Sequence, residues 1–251
     1  MPAENTDTAS SLEDYLDLLE VLRGLGVEFV VIGGCAVGAY ARLLGEAVFS
    51  RDLDLFVTQR ALEAVVADGA AIGVRIEKLP SPRSIPVAVL DWRGREVNLI
   101  TATEGLSPPD VEARVAREFQ LGAGRDLTVL IADPFDLLRN KLAVNREKDQ
   151  PHIALLRRFL DEEVVQAFVE QEDPRARIGP AERLLEVLKA QTLEETLAER
   201  LTPLATNAAD FRFLAHRAPT QPIVRELVSR APGDDVRATI ERIARSRGFV
   251  I

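Results

Sequence analysis

The sequence predicts an α/β region of about 150 residues followed by a wholly helical region of about 90. Two observations carry that division. Up to about residue 160, short Val- and Ile-rich runs bounded by glycines and turn residues alternate with segments of helical period. From Asp161 to Ile251 apolar residues recur at helical spacing only, with interruptions at Asp173-Pro174, Gly179-Pro180, Pro219, Pro222 and Pro232-Gly233. The domains drawn on this basis are 12–160 and 161–251.

The elements follow in order. Leu12, Tyr15, Leu16, Leu19 and Leu22 recur at helical spacing over Ser11–Leu25, and Ser11 with Asp14 three residues on is a start signal. Val27–Ile32 reads as a buried strand. Gly33-Gly34 breaks it, and helical period resumes over Cys35–Gly45. Asp52–Val57 alternates acidic and apolar residues, as a strand with one wet face does. Ala61–Gly69 reads as a helix and Arg75–Leu79 as a short strand. Val87–Ile100 reads as a hairpin turning at Arg93-Gly94. Pairing across that turn puts Ala88, Leu90, Val97 and Leu99 on one face and Val89, Asp91, Glu96 and Asn98 on the other; Trp92 falls on the apolar face. Leu127–Ile131 is a further strand. Asp133 then caps a helix that opens with Pro134 and runs to about Val144, and Pro151–Leu160 begins another.

Composition narrows the function. The 251 residues are 47% apolar and 28% charged, which suits one large or two small globular domains. No apolar stretch approaches the roughly 18 residues of a membrane span. Met1–Ser11 is polar and acidic, so no secretory signal and a cytoplasmic location are expected. A single cysteine, Cys35, excludes an internal disulfide and a multi-cysteine zinc site, and two histidines make a histidine metal centre improbable. The net charge of −9 is uneven: residues 1–150 hold 16 Lys and Arg against 24 Asp and Glu, and residues 151–251 hold 15 against 16. Such a chain is not a general nucleic-acid coat, although a local basic groove is compatible with it.

Three features can carry chemistry. Gly33-Gly34-Cys35 lies between a strand and a helix, where glycines let the backbone approach a ligand and the helix aims N–H groups at it. Asp52-Leu53-Asp54 opens a strand, so both carboxylates share a face and repel unless a cation or a proton lies between them. Mg²⁺ is commonly held by such carboxylates together with substrate phosphates. Lys141, Arg146, Lys148 and Asp149 form a K-x4-R-x-K-D run at a helix end, which can serve as a cationic arm over a triphosphate.

In this order, the three features resemble the nucleotidyltransferase-fold proteins of the AbiEii/AbiGii toxin type over roughly residues 12–160. The resemblance implies a nucleotidyltransferase-like α/β (α+β) core with a mixed sheet, followed here by the helical region. It implies transfer of a nucleoside monophosphate from an NTP to an acceptor hydroxyl with Mg²⁺, and pyrophosphate release. Toxins of the type act on RNA, including tRNA acceptor ends, in toxin–antitoxin systems, so an RNA acceptor and a cognate antitoxin become candidate partners. Carried over by position, Gly33 and Gly34 are the phosphate-approach glycines, with Cys35 where many relatives have Ser. Asp52 and Asp54 are the metal pair and Lys141 the nucleotide-facing lysine. Ser50, Arg146, Lys148 and Asp149 complete the nucleotide-binding set.

Three positions depart from the pattern. Asn98, in Val97-Asn98-Leu99-Ile100, stands where relatives place a third acid. It can offer a metal a carbonyl oxygen, but no charge and no useful base. Glu96 lies on the same hairpin face, and a bulge could bring it in. Cys35 replaces a hydroxyl with a thiol, a weak donor; a lone cysteine at a helix start can be reactive, but a small half-buried helix residue is the simpler reading. His152 replaces an Asp beyond the K-D motif. Two alternatives therefore stand beside the RNA-directed enzyme. One is a small-molecule nucleotidyltransferase of the aminoglycoside-modifying kind, whose cationic acceptor suits the acidic first 150 residues. The other is a nucleotide- or partner-binding protein that has lost catalysis.

Overall fold

The computed structural model describes residues 10–80, 87–106, 116–122 and 127–251; most of the polar N-terminal stretch therefore lies outside the described residues. The chain divides into two compact units, Met1–Arg157 and Arg158–Ile251.

The first unit begins with a 3-10 turn, Leu12–Tyr15, that leads into α1, Leu16–Gly24. The Ser11 N–H donates to the Asp14 carboxylate at 2.8 Å, half of a reciprocal cap. Next come β1 (Phe29–Ile32), α2 (Gly33–Leu43), β2 (Asp52–Val57), α3 (Gln59–Asp68), β3 (Arg75–Lys78), β4 (Val87–Trp92) and β5 (Arg95–Ile100). The unit continues with β6 (Ala116–Leu121), β7 (Leu127–Ala132) and α4 (Pro134–Val144). Among the described residues seven strands form one mixed sheet in the order β3-β4-β5-β2-β1-β7-β6. β1 runs antiparallel to β2 and parallel to β7, and β2 runs parallel to β5.

The hairpin behaves as its alternation requires. Ala88 pairs with Leu99 and Leu90 with Val97, all four buried, while Val89 pairs with Asn98 and Asp91 with Glu96. Its two-residue turn holds Arg93 and Gly94 at positive φ, which matches the twist of the flanking strands. Trp92 is buried beneath the Arg93 guanidinium, 4.6 Å from its ring centroid, so it packs rather than offering a face to a base.

α2 packs on β1 and β2 with a wholly buried first half. Tyr40, fully buried on α2, donates its hydroxyl to the Ala132 carbonyl at 2.8 Å and meets the Phe119 ring edge-on. β6 lies in a stretch where the sequence suggests no element. It is an edge strand, and only its last residue is fully buried, so the apolar signal is thin.

The helix begun at Pro151 is longer than its start alone suggests: α5 spans Gln150–Glu170 without interruption. The second unit continues with α6 (Pro174–Leu188), α7 (Glu195–Leu201), α8 (Ala208–Arg217), α9 (Gln221–Arg230) and α10 (Asp234–Ser246). Gly179-Pro180 does not break the pattern as expected. Pro180 sits inside α6, at the loss of one backbone bond. The helix survives because Asp173 caps the Ala176 N–H and because Ala181, Leu184, Leu185 and Val187 are buried; packing outweighs local propensity. Conversely, two helix ends arise without proline or glycine. Lys189 adopts a left-handed φ of 52° after α6, and the Asn207 side chain accepts from the Ala209 and Asp210 N–H groups to start α8. Deep in this unit Asp210 accepts from Arg177 and from the Thr206 N–H, and Arg177 also donates to the Gln171 and Leu204 carbonyls. This buried ion pair is saturated with partners, the condition under which such a pair is tolerated. Among the described residues no helix is long and apolar enough to cross a membrane.

Candidate functional site

A cleft of about 1160 Å³ opens in the first unit, where β1, β2 and β5 meet the start of α2 and the end of α4. α2 begins two residues earlier than its periodicity implies, at Gly33, directly after the last residue of β1. No side chain caps its N-terminus, because the N-cap is Ile32, so its first-turn N–H groups take no bond from a capping side chain. Gly33 has φ +68°, and a Cβ there would lie 1.9 Å from Asp54 Oδ2. A Cβ on Gly34 would lie 2.4 Å from Ser50 Oγ. Both glycines therefore serve a close approach of backbone to carboxylate and hydroxyl. Cys35, third in the helix, points its thiol inward. It is buried, donates to the Asp52 carbonyl at 3.4 Å and does not line the cleft. Burial, then the charges of Asp54 and Asp52, push the thiol up to about 12, so a reactive thiolate is excluded.

Asp52 and Asp54 share a face of β2, as the alternation requires. Burial first, and then the Asp52 charge, push the Asp54 carboxyl up to about 6. Ser50 Oγ donates to Asp52 Oδ1 at 3.0 Å. The parallel register of β2 and β5 sets Asp52 beside Glu96 and Asp54 beside Asn98. Asn98 Nδ2 thus donates to Asp54 Oδ1 at 3.1 Å, and to Asp52 Oδ2 and Glu96 Oε1 at 3.3 Å each. Its amide nitrogen, not its carbonyl, faces the carboxylates, so ligation through Asn98 needs the amide to turn over. Glu96 needs no bulge to join the group. Its place comes from strand pairing across more than forty residues, which the hairpin pattern alone does not reveal.

The cationic side is built by the end of α4. Asn145 in a left-handed conformation closes that helix and folds the chain back through the 3-10 turn Glu147–Asp149. Buried Asp149 then accepts from Lys141 Nζ and Arg146 Nε, each at 2.7 Å. Burial alone would push the Asp149 carboxyl up; the bonds from Arg146 and Lys141 more than offset this and hold it below the usual carboxylate range. The spacing of the K-x4-R-x-K-D run is thus the spacing of one carboxylate clamping two cations. Lys148 and His152 complete this wall.

The donors suit Mg²⁺ chemically: two hard carboxylates on one face, one of them raised by burial and then by the other's charge. Among the described residues no three Asp, Glu, His or Cys side chains are gathered into a ready metal cage.

Residues 11–68 carry both glycines and both aspartates of this site. They match the model of a nucleotidyl transferase of unknown function, DUF2204. The DUF2204 match spans α1 to α3; Glu96, Asn98 and the cationic wall lie beyond it. No curated protein matches the sequence. Solved structures to which the chain is similar include the lincosamide antibiotic adenylyltransferase LnuA bound to lincomycin, at 14% identity, 61% of this chain, 99% of that chain and TM-score 0.45. ANT(2'')-Ia in complex with adenylyl-2''-tobramycin follows at 14% identity, 68% and 98% coverage and TM-score 0.42. An antigenic nucleotidyltransferase-like protein from Paracoccidioides brasiliensis covers 84% of this chain and 96% of its own, at 14% identity and TM-score 0.32.

Proposed function

We propose that this chain transfers a nucleoside monophosphate from an NTP to an acceptor hydroxyl. One observation carries the reading: the uncapped Gly33-Gly34 helix start presses on Asp54 in the same cleft that Lys141 and Arg146 line. The triphosphate would lie along the α2 N-terminus, where N–H groups and the helix dipole favour anions. Asp52 and Asp54 would hold Mg²⁺, which when bound supplies charge neutralisation and orientation of the phosphates. The acceptor oxygen forms a bond to the α-phosphorus while the bond from that phosphorus to the bridging oxygen breaks. Lys141 and Arg146 neutralise the charge growing on the departing pyrophosphate. The acceptor's proton passes to solvent or to Glu96, the exposed carboxylate beside Asp52.

The lining charges are mixed and admit an anionic acceptor. Arg51, Arg93, Arg95, Lys141, Arg146 and Lys148 stand against Asp52, Asp54, Glu96 and Asp149. Arg93 and Arg95 are also paired with Asp17 and Asp14, so an acidic chain presents a cleft near charge balance, which leaves an RNA end open as the acceptor. Calorimetric titration with each of the four NTPs, with and without Mg²⁺, tests the nucleotide reading. Mg²⁺-dependent binding of at least one NTP is expected, and its loss in Asp52→Ala. A folded protein that binds none refutes it. Labelled transfer onto total tRNA against an aminoglycoside panel then separates the acceptors, with label on RNA expected.

Asn98 favours a second reading, a binding protein without turnover, because its amide occupies the space between three carboxylates. Asn98→Asp is expected to lower the melting temperature without Mg²⁺, since a fourth carboxylate replaces the donor. Under the first reading wild type transfers without this change. Transfer gained only in Asn98→Asp marks the natural site as degenerate.

A further inference from the structure

One side chain in the cleft has no role in the reading above. The His152 ring stands beside Gly34, its Cε1 3.7 Å from where a Cβ on that residue would lie, and it lines the cleft with about a fifth of its surface open. Its Nδ1 is buried and has no hydrogen-bond partner among the described residues. The nearest carboxylate oxygen, Asp149 Oδ1, is 3.8 Å away, beyond bonding distance. A buried polar atom left unpaired is costly and calls for an explanation in bound matter or in movement.

We propose that His152 is a phosphate ligand whose ring takes up a proton when the nucleotide binds. The proposal rests on the nucleotide reading and deepens it. One proton from solvent adds to the imidazole. Nδ1–H closes the gap to Asp149, and the other ring N–H donates to a phosphate oxygen of the NTP; no other bond is made or broken.

The surroundings supply the driving force. Lys141 on α4, Arg146 just before the 3-10 turn, and Lys148 and Asp149 within it all act on the ring electrostatically; Gly34 brings no charge from α2. Burial first, and then the Lys141 charge, lower the imidazole from its ordinary value and so favour the neutral ring in the free protein. A triphosphate reverses the local field, because its charge outweighs three cations already shared with one carboxylate. Asp149 is then acceptor to a third donor, and the orphaned Nδ1 gains its partner.

The chain has two histidines, so the imidazole Cε1–H spectrum of the whole protein has two signals. His216, exposed on α8, is the internal control, and His152→Gln assigns the pair. The signals are followed from pH 5.5 to 8.5 with and without ATP, GTP, CTP or UTP plus Mg²⁺. Binding is measured in parallel by calorimetry in two buffers of different ionisation enthalpy. The expected result is a His152 proton affinity at least tenfold higher with bound nucleotide, an unmoved His216, and net proton uptake near pH 7. In His152→Gln the uptake disappears and affinity falls about tenfold at pH 6.5, with a smaller loss at pH 8.5. Nucleotide that binds wild type without moving the His152 titration overturns this proposal and leaves the nucleotide reading standing. If no NTP binds, the nucleotide reading falls and takes this proposal with it.

Discussion

Asp54→Asn is expected to abolish nucleotidyl transfer while making the protein without Mg²⁺ harder to unfold. The two effects come from one cause. Asp54 is charged at neutral pH in a place where burial and the Asp52 charge both oppose ionisation. Its folded value of about 6 lies above the unfolded carboxylate value of about 3.9. A raised acid binds its proton more tightly in the folded state, so its ionisation costs stability as pH rises from about 4 to about 6. Below that window the cost is absent, and above it the cost is complete. Two pKa units, with the relief from the Asn98 amide already included, correspond to a cost on the order of 1–3 kcal/mol. Asn at position 54 keeps the shape and an oxygen for the Asn98 amide but carries no charge. The variant should therefore melt higher at pH 7.5 without Mg²⁺, and the advantage should fade towards pH 4. Mg²⁺ should raise the wild-type melting temperature and leave the variant's in place. Transfer should fall by about 10³-fold or more, the scale on which a group that stabilises the transition state is missed. Melting curves across pH, with and without Mg²⁺, beside transfer assays check the pair of effects. A variant that is less stable than wild type at pH 7.5 would show that no carboxylate repulsion is stored here.

That strain is only half legible in the sequence. The alternation Asp52-Leu53-Asp54 is enough to set two carboxylates on one face, and the hairpin turn at Arg93-Gly94 is enough to sort Ala88 and Leu90 from Val89 and Asp91. What local pattern does not contain is the pairing of β2 with β5. That pairing makes Glu96, legible in the sequence only as a residue on the same hairpin face as Asn98, the neighbour of Asp52. It also decides that Asn98 points an amide at three carboxylates. Cys35 is a related case. Its place after two glycines reads as a helix start, yet α2 begins at Gly33, and two residues of helix are enough to rotate the thiol into the core. The K-x4-R-x-K-D run is visible as charge, but its carboxylate reads as one more polar residue until Asn145 folds it back between Lys141 and Arg146. In the helical unit, proline and glycine mark several true boundaries, but Pro180 shows that a breaker yields to a buried face. Lys189 and Asn207 show the converse: ends made by a left-handed residue and a side-chain cap leave a fainter trace.

The glycine pair gives the other large effect, and its two members should differ. Gly33→Ala meets two obstacles at once. At φ +68° any side chain is strained by roughly 1–2 kcal/mol, and the new Cβ would stand 1.9 Å from Asp54 Oδ2 and 2.9 Å from Asp54 Cβ. Turning the carboxylate aside does not clear the second contact, so β2 or the start of α2 must shift. Gly34→Ala has ordinary φ, and its hardest contact is the Ser50 hydroxyl at 2.4 Å, with Ser50 Cβ at 2.9 Å. Ser50 lies in a bridge to Ser10 rather than within a central strand, where a small backbone shift disturbs fewer neighbours. Gly33→Ala should cost about 2–4 kcal/mol in chemical denaturation and about 10²-fold or more in NTP affinity. Gly34→Ala should cost about half as much stability. The order follows from what each Cβ meets: for Gly33, at strained φ, a half-buried carboxylate on a paired strand; for Gly34, at ordinary φ, the Ser50 side chain outside the central strands, whose hydroxyl can rotate while its Cβ must shift slightly. Denaturation curves and NTP titrations of the two variants decide it. Equal, near-wild-type behaviour of both would mean that the backbone does not approach Asp54 as closely in solution, and that the phosphate seat lies elsewhere along α2.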